Sequence, residues 1–337
     1  MSYNKKKAVG RWSLVVGCFL IGLILITGCA KQPVEVYDAR VMLGTVVEIK
    51  IIDADPQKAK QALTAAFAEI SRLEKLMSHF DQDSALSRLN KQGYSGDMEL
   101  CALISQAVEI SKITDGGFDV TVGPLMNLWD FKAKVPRVPS LQQIRNTLKN
   151  IGYKYINIDS NKNRIMIKKG IDLDLGGIAK GYAADQAIAV LQKEGICTAL
   201  VNAGGDIRAI GDKEWDIGLK NPRGNDILAA ITVKDKAVVT SGDYERYFIK
   251  EGKRYHHILN PNTGYPADLC QSVTVIAPTA TAAVALAKGV FVAGPLKGLK
   301  LAASQAQTEA IIIDNQGRLY VSAGLAKKGN TYLLKKD

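Results

Sequence analysis

Two adjacent glycines at residues 176–177 separate an apolar run from an alanine-rich helical pattern. Ile171, Leu173 and Leu175 alternate as in a strand, and a helix is expected over residues 178–193. The free N–H groups of a first helical turn and the helix dipole attract anions, and glycine lets a ligand approach the backbone. The stretch therefore predicts a strand, a tight turn and a helix, with phosphate as its natural ligand.

The same junction is equally consistent with a turn that binds nothing. Its glycine spacing matches neither the G-x-G-x-x-G pattern of dinucleotide-binding folds nor the G-x-x-x-x-G-K-[ST] pattern of the Walker A loop. A glycine-rich connection between a strand and a helix needs no ligand to explain it. The choice between these two interpretations depends on the rest of the chain.

Four further segments combine turn residues with side chains that can bind a polar ligand. Residues 115–125 contain paired glycines that are expected to end a helix and lead into an extended segment. Residues 202–206 also contain paired glycines, because a predicted strand runs into two glycines and a carboxylate there. Residues 240–247 and 256–266 contain more polar and aromatic side chains than a hairpin requires. The four segments are therefore candidates for the walls of a binding site.

The last of these segments contains two of the chain's three histidines, His256 and His257. Neighbouring residues on a strand point to opposite faces, so at most one of them can face a given site. The other is expected to have a structural role.

The elements that must position these segments indicate an α+β fold. Asp55 and Pro56 predict a helix start, and Ser140 with Gln143 predicts a capping box for a helix over residues 141–148. A further helix is expected over residues 98–113, and one strand over residues 41–52. Short alternating strands dominate the second half, interrupted by helices at residues 178–193 and 279–292. We therefore predict mixed, mostly antiparallel sheets with packed helices.

The first 28 residues have the pattern of a targeting signal. A basic start is followed by an apolar run and by small residues before Cys29, which resembles a bacterial lipoprotein signal. We expect cleavage before Cys29, lipidation of its sulfur, a tether over residues 29–39, and one domain over residues 40–337. An uncleaved membrane anchor is the alternative. Either way the predicted location of the domain is extracytoplasmic, and cleavage with lipidation would anchor it by lipid to the bacterial cell membrane.

The chain is basic, with a formal net charge of +11. Removing residues 1–28 removes four basic and no acidic residues, so the formal charge falls to +7. The remaining lysines are scattered and lack interleaved arginine and aromatic residues, so no nucleic-acid partner is expected. A moderately basic surface favours anionic ligands or an anionic membrane face.

Together these segments resemble the ApbE family of FAD:protein FMN transferases. The matching segments run in order from about residue 40 to residue 300, so no single motif has to carry the resemblance. They are Leu43-Gly44-Thr45, Met77-Ser78 with Ser84, Ser87 and Asn90, and residues 117–125, 172–185, 202–206, 241–246 and 257–266.

The resemblance implies an ApbE-like fold and the transfer of FMN from FAD to a Ser or Thr hydroxyl of an extracytoplasmic acceptor protein. The product would be a phosphoester, and AMP would be released. In the family the acceptor carries a motif of the form Asp-x-x-Ser/Thr-Gly-Ala-Ser/Thr, and a divalent cation, usually Mg²⁺, bridges the pyrophosphate of FAD. Such a transfer depends on positioning and on neutralising phosphate charge.

The resemblance also implies a set of site residues. His257 matches the histidine near the reacting phosphate and is a candidate base or orienter for the acceptor hydroxyl, because an unperturbed histidine titrates near neutral pH. A histidine that bonds a loop carbonyl is the structural alternative. Phe80 occupies a position where many members have tyrosine. The residues that would contact FAD are Leu43, Phe80, Gly117, Phe118, Asp119, Asp174, Lys180 and Ile258.

The chain departs from the family at the metal site. Gly177 would offer a backbone oxygen to the cation, but the family's aspartate and threonine ligands are replaced by Val284 and Lys288. Residues at i and i+4 share a helix face, so Lys288 is expected to point toward the metal position. A hard cation prefers oxygen ligands, and an ammonium in its place argues against Mg²⁺ binding.

Three functions follow from this departure. In the first, Lys288 acts as a tethered cation that partly replaces the metal, and the chain is a transferase with an altered metal site. In the second, the chain is an FAD-binding lipoprotein without transferase activity. In the third, water replaces the acceptor hydroxyl, and the chain is an FAD pyrophosphatase. A snorkelling lysine without a role in binding is the structural alternative for Lys288.

Overall fold

The computed structural model describes residues 32–159 and 161–335. Among these residues, five α-helices lie before residue 150 and three after it. In chain order they are α1 (Pro56–Met77), α2 (Ala85–Gln92), α3 (Met98–Ile113), α4 (Gly123–Trp129), α5 (Leu141–Leu148), α6 (Ala179–Lys193), α7 (Ala280–Ala293) and α8 (Pro295–Ala303).

An antiparallel eight-stranded sheet forms the centre of the molecule. Its strands, in spatial order, are β1 (Val34–Met42), β2 (Thr45–Asp53), β6 (Ala199–Ala203), β7 (Asp206–Ile210), β10 (Ala237–Gly242), β13 (Cys270–Ala277), β14 (Glu309–Asp314) and β15 (Leu319–Val321). Strand β13 is buried along its whole length because its residues face packed layers on both sides of the sheet. The strand order confirms the predicted α+β class.

Three smaller sheets complete the fold. A three-stranded antiparallel sheet has the order β3 (Tyr94–Ser95), β5 (Arg164–Ile167) and β4 (Ile156–Asp159). A hairpin joins β11 (Tyr247–Lys250) to β12 (Lys253–His256). The four-stranded sheet has the order β16 (Leu325–Lys328), β17 (Thr331–Leu334), β9 (Ile227–Val233) and β8 (Trp215–Lys220), with β17 and β9 parallel.

Alternate residues of the central strands enter two different cores. Val201, Val239 and Val275 face the layer that contains α1, α3, α6 and α7. Their neighbours on β10 and β13, Val238 and Ile276, face the four-stranded sheet instead. Helices α6 and α7 pack on the first face and on each other, so the sheet fixes the relative positions of their N-terminal ends.

The predicted helix starts are confirmed because local side chains supply the missing hydrogen bonds. Asp55 accepts hydrogen bonds from the N–H groups of Gln57 and Lys58 at the start of α1. Ser140 and Gln143 form the predicted capping box of α5.

The predicted strand at residues 171–175 is wrong, although its alternation of buried and less buried residues is present. The backbone N–H of Leu173 donates to Asn90 Oδ1, and Asn90 Nδ2 donates to the Leu173 carbonyl, both at 2.9 Å. Asp174 N–H donates to the Val120 carbonyl at 2.8 Å. The side-chain amide of Asn90 therefore makes the backbone hydrogen bonds that a neighbouring strand would otherwise supply.

Two other predicted segments differ from the structure. The single strand expected at residues 41–52 is a hairpin of β1 and β2, with Leu43 and Gly44 at positive φ in the turn. Strand β1 therefore includes residues 34–39 of the predicted tether. The extended segment expected near residue 120 is a 3₁₀ turn, Val120–Val122, followed directly by α4. Asp119 caps that turn by accepting from Thr121 N–H.

The predicted signal at residues 1–28 and the lipidation site Cys29 lie outside the described residues. Across residues 32–159 and 161–335, no helix combines the length and apolar character needed to cross a bilayer.

Candidate functional site

The close contact between α6 and α7 determines where the site lies. A side chain at Gly181 would place its Cβ 2.3 Å from the Ala280 carbonyl oxygen and 2.7 Å from Val284 Cγ1, so only glycine permits this approach. Asp185, one turn further along α6, accepts hydrogen bonds from the backbone N–H groups of Ala280 and Thr281. The N-terminal turns of both helices are therefore held side by side.

The glycine turn before α6 lies against α7 and the segment after α3. Asp174 Oδ1 accepts a hydrogen bond from Gly176 N–H at 2.7 Å, which closes the turn. A Cβ at Gly177 would lie 3.1 Å from the Phe118 ring and 3.5 Å from Lys288 Cδ. The structure thus brings together four predicted site residues: Phe118, Asp174, Gly177 and Lys288.

Gly117 joins α3 to α7 immediately beside Lys288. A Cβ at Gly117 would lie 3.0 Å from the Thr114 carbonyl oxygen and 3.3 Å from the Gly289 carbonyl oxygen. Gly289 in turn has no room for a side chain, because its Cβ would lie 2.2 Å from Thr114 Cγ2. Glycines on both sides of this contact therefore bring Phe118 and Lys288 to the same turn.

Two lysines supply the positive charge of the site. Lys180, in the first turn of α6, lies 3.2 Å from the buried carboxylate of Asp206. Lys288 is partly buried, and its Nζ donates to the Val284 carbonyl of its own helix at 3.2 Å. Burial, opposed by the charges of Asp206 and Asp174 and reinforced by that of Lys180, lowers the pKa of Lys288 to about 8. The ammonium of Lys288 is therefore incompletely compensated by neighbouring carboxylates.

The adjacent histidines lie in different surroundings. His256 is buried, and its ring nitrogens contact the Ala267 carbonyl and the Ile258 N–H, so it fixes the loop. His257 Nδ1 is buried without a hydrogen-bond partner among the described residues. Burial, with the charges of Lys288 and Arg246, lowers the pKa of His257 to about 3.

This low pKa differs from the expectation that His257 titrates near neutral pH. The imidazole is neutral in the unliganded protein and is a weak base there. An anion beside Lys288 and Arg246 would offset their charges and raise the pKa of His257. The unpartnered Nδ1 is one buried polar atom of the site that a ligand can satisfy.

Three other residues predicted to contact FAD have their own local partners. Phe80 is 81% exposed, and Lys132 Nζ lies 4.6 Å from its ring centroid. Leu43 is partly buried in the β1–β2 turn, and its N–H donates to Glu74. Ile258 is buried in the main core.

Asp119 faces the interior of the protein. Its Oδ1 accepts from the N–H and hydroxyl of Thr121, and its Oδ2 accepts from Tyr153 N–H at 2.7 Å. Burial raises the pKa of Asp119 because desolvation disfavours the carboxylate. Both oxygens are already used, so Asp119 stabilises the segment that carries Phe118.

The residues present do not fit a magnesium ion. Val284 is 1% exposed and packs against α6, and Lys288 brings an ammonium to the Gly177 turn. The described residues contain no group of three or more His, Cys, Asp or Glu side chains that could hold a metal. Mg²⁺ prefers octahedral oxygen ligands, which this donor set does not supply.

Several residues beside the site were not among the predicted ligands. Asp206 faces Lys180, and the charge of Arg246 lowers the pKa of His257. His79 Nε2 lies 3.1 Å from Asp172 Oδ2, and this carboxylate raises the pKa of His79. Asp206 and Arg246 lie in two of the candidate segments of the sequence, residues 202–206 and 240–247. The pairing of His79 with Asp172, 93 positions away, has no local sequence signal.

We expect Asn90→Ala to lower the free energy of unfolding by about 2–5 kcal/mol, because it leaves the buried N–H and carbonyl of Leu173 without partners. Urea unfolding measures this change. The exposed Asn157→Ala on β4 is the matched control, with an expected change within about 0.5 kcal/mol. Equal unfolding midpoints for the two variants would contradict this role of Asn90.

The assembled site is suited to a phosphate-bearing ligand. It combines a glycine turn, a helix N-terminal turn and the side chains of Lys180 and Lys288. Backbone N–H groups and cations are the usual partners of phosphate oxygens. Phe118 contacts the same turn at Gly177, and the charge of Lys288 lowers the pKa of His257, whose Nδ1 is unpartnered among the described residues.

Comparison with known proteins agrees with the family resemblance of the sequence segments. A model of the ApbE family matches residues 43–312. The chain is 31% identical to the FAD:protein FMN transferase of Treponema pallidum, covering 93% of this chain and 94% of that protein. It is 32% identical to the enzyme of the same name from Vibrio cholerae, covering 84% and 89%.

Solved structures show the same fold. The ApbE protein of Thermotoga maritima superposes with a TM-score of 0.79 at 39% identity, covering 87% of this chain and 97% of that one. The flavin transferase ApbE of Vibrio cholerae superposes with a TM-score of 0.75 at 29% identity, covering 87% and 98%.

Proposed function

Since this chain belongs to the ApbE family, we propose that it transfers FMN from FAD to a serine or threonine hydroxyl of an acceptor protein and releases AMP. Relatives named FAD:protein FMN transferase support the activity. The single observation that carries the proposal is the contact of Lys288 with the Gly177 turn, next to the first turn of α6, which carries Lys180, so that a pyrophosphate can be bound there.

The proposed step exchanges one phosphorus–oxygen bond for another. The acceptor hydroxyl oxygen attacks the phosphorus of the FMN half of FAD, and the bond from that phosphorus to the bridging oxygen breaks. AMP leaves with the bridging oxygen, and the hydroxyl proton is transferred to a base. The pKa of His257, about 3 in the unliganded protein, would rise once an anion offsets its cationic neighbours, so His257 is the candidate base or orienter.

We further propose that Lys288 replaces a metal ion at the pyrophosphate. Its methylene groups lie beside Gly177, and its ammonium is the charge that a cation would otherwise supply. Lysine acts as a point-charge phosphate ligand in other phosphate sites. The absence of fitting oxygen ligands at Val284 and Lys288 supports a transfer that needs no Mg²⁺ at this position.

The proposed partners and location come from the sequence. The acceptor would carry a motif like Asp-x-x-Ser/Thr-Gly-Ala-Ser/Thr. The predicted signal and Cys29 would place the enzyme outside the cytoplasm, anchored by lipid to the bacterial cell membrane. Globomycin sensitivity of processing, together with incorporation of radiolabelled palmitate that is lost in Cys29→Ala, would test this location.

One incubation distinguishes the three functions. The purified protein is mixed with FAD and an acceptor carrying the motif, with and without Mg²⁺, and covalent flavin is detected by fluorescence on a denaturing gel. We expect a fluorescent acceptor and a matching quantity of AMP. AMP without fluorescent acceptor would indicate a pyrophosphatase, and tight FAD binding without either product would indicate a carrier. An acceptor with alanine at its hydroxyl position is the control.

The titration of Lys288 predicts a pH dependence of FAD binding. With a pKa of about 8, the side chain is cationic below pH 8 and neutral above it. The affinity for FAD should therefore fall above about pH 8, by up to about tenfold per pH unit. Flavin fluorescence titrations measure this, and Lys288→Arg should flatten the profile because guanidinium stays charged. An affinity in the unsubstituted protein that stays constant through pH 8 would contradict a role for this ammonium.

A further inference from the structure

An open groove of about 750 Å³ lies along the three-stranded sheet, outside the site described above. Four basic residues line it, at the end of α2, at the start of β5 and just after β5. They are Lys91, Arg164, Lys168 and Lys169, and all four are exposed. None of the residues that line the groove is acidic.

The charge of this groove is not neutralised from within the protein. In the part of the chain that the structure describes, none of the four basic side chains forms an ion pair with a carboxylate. Asp159, which faces Arg164 across β4 and β5, pairs with Lys162 at 3.9 Å instead. Lys168 Nζ lies 4.5 Å from the ring centroid of Tyr155. Clustered like charges in a concave surface attract anions over several ångströms.

The groove also has an apolar component. Tyr94 on β3 and Met166 on β5 are register partners, so their side chains stand on the same outer face of the sheet. They are 53% and 39% exposed, respectively. Aromatic and methionine side chains flanked by charges are typical of protein-binding surfaces.

One end of the groove borders the candidate site. Asn90 and Ile171 line the groove, and Asn90 holds the backbone of Leu173 through two hydrogen bonds. Asp174, whose carboxylate closes the glycine turn, follows Leu173 directly. Three residues span at most about 11 Å, so Ile171 and Asp174 are near neighbours.

We propose that this groove docks an acidic segment of the acceptor protein, with its carboxylates on the four basic residues and an apolar side chain on Tyr94 and Met166. This inference rests on the proposed transfer function, which requires a protein to approach the Gly177 turn. A concave basic surface with an apolar floor fits an extended peptide segment better than a flat lipid surface. Docking here would bring the acceptor hydroxyl toward FAD.

A labelled peptide tests the groove without requiring transfer. The probe is a fluorescein-labelled peptide with the motif Asp-x-x-Ser-Gly-Ala-Thr and glutamate-rich flanks, and its partner probe has glutamine in those flanks. Fluorescence anisotropy measures binding to the FAD-loaded protein. We expect the double variant Lys168→Glu and Lys169→Glu to bind the acidic peptide about tenfold more weakly, and to bind the neutral peptide as before.

A second charge-reversed protein controls for net charge. Lys297→Glu with Lys300→Glu changes the same charge on α8, which packs against β14 and β15, and should leave peptide binding unchanged. Equal losses in both double variants, equal binding of both peptides, or tenfold weaker FAD binding in the groove variant would overturn the proposal. So would displacement of the acidic peptide by phosphatidylglycerol vesicles that bind only the unsubstituted groove.

Different results would contradict the docking groove and the proposed transfer reaction. Selective loss of acidic-peptide binding supports the groove whether or not flavin is transferred. Absence of covalent flavin and AMP, with peptide and FAD both bound, would contradict the transferase function alone. In the transfer reaction, the groove variant should raise KM for the acidic acceptor about tenfold with kcat unchanged.

Discussion

Lys288→Ala is expected to slow FMN transfer about 10²–10³-fold at saturating FAD, the usual loss when one preorganised charge is removed from a developing anion. Lys288 reaches the Gly177 turn from α7, and residues 32–159 and 161–335 contain no group of three or more His, Cys, Asp or Glu side chains that could hold a metal in its place. Single-turnover formation of covalent flavin, with AMP measured in parallel, gives the rate.

The stability of the same variant separates catalysis from folding. Burial lowers the pKa of Lys288, so its folded state holds the charged form at an energetic disadvantage. Alanine removes that disadvantage, and the midpoint of urea unfolding should be unchanged or higher. The exposed Lys193→Ala at the end of α6 is the control and should transfer at the normal rate. A Lys288→Ala enzyme with the unsubstituted rate would rule out the proposed role.

Gly181→Ala is expected to lower the free energy of unfolding by about 1–3 kcal/mol, the usual range for overpacking. Its Cβ would lie 2.3 Å from the Ala280 carbonyl oxygen and 2.7 Å from Val284 Cγ1. In an exposed helix the same change stabilises by about 1 kcal/mol, so even the sign of the effect is informative. Because the displaced helices carry Lys180 and Lys288, FAD affinity should fall as well.

Gly96→Ala provides the comparison for this substitution. No atom lies within 4 Å of a Cβ built at Gly96, and its φ is not in the left-handed region. Its effect on urea unfolding should lie within about 0.5 kcal/mol. If Gly181→Ala unfolds at the same denaturant concentration as Gly96→Ala, the close contact of α6 with α7 is not a constraint.

The parts of the fold that were predicted correctly depend on local chemistry. Helix α1 begins where Asp55 caps it, and α5 begins at its capping box, because these hydrogen bonds involve neighbours in sequence. Helix α3 has the predicted bounds, residues 98–113, since its periodicity is also local.

The parts that were predicted wrongly depend on distant partners. Alternation at residues 171–175 shows which side chains are buried, but not that Asn90 satisfies the backbone from 83 positions away. The alternating pattern across residues 41–52 did not indicate the turn at Leu43, which adopts a positive φ although it is not glycine. Neither the hydrogen bonding by Asn90 nor the turn at Leu43 can be predicted from the pattern of residue types along the chain.

In the candidate site, too, features that depend on sequence neighbours were predicted and features that depend on distant residues were not. The family resemblance, together with the i and i+4 spacing of Val284 and Lys288, predicted that Lys288 points toward the metal position, and the structure places it beside Gly177. The ion pair of Lys180 with Asp206 joins different elements and needs the sheet to form. The low pKa of His257 arises from burial and from cations on two other segments, so its sequence context alone suggested the wrong titration range.

The metal dependence of FMN transfer tests the central claim most directly. The rate of covalent flavin formation is measured in excess EDTA and in Mg²⁺, for the unsubstituted protein and for the double variant Val284→Asp with Lys288→Thr. We predict that the unsubstituted protein transfers FMN equally well in EDTA, and that the double variant transfers only in Mg²⁺. Transfer by the unsubstituted protein that is abolished by EDTA and restored by Mg²⁺ would contradict the assignment of Lys288 as the resident cation.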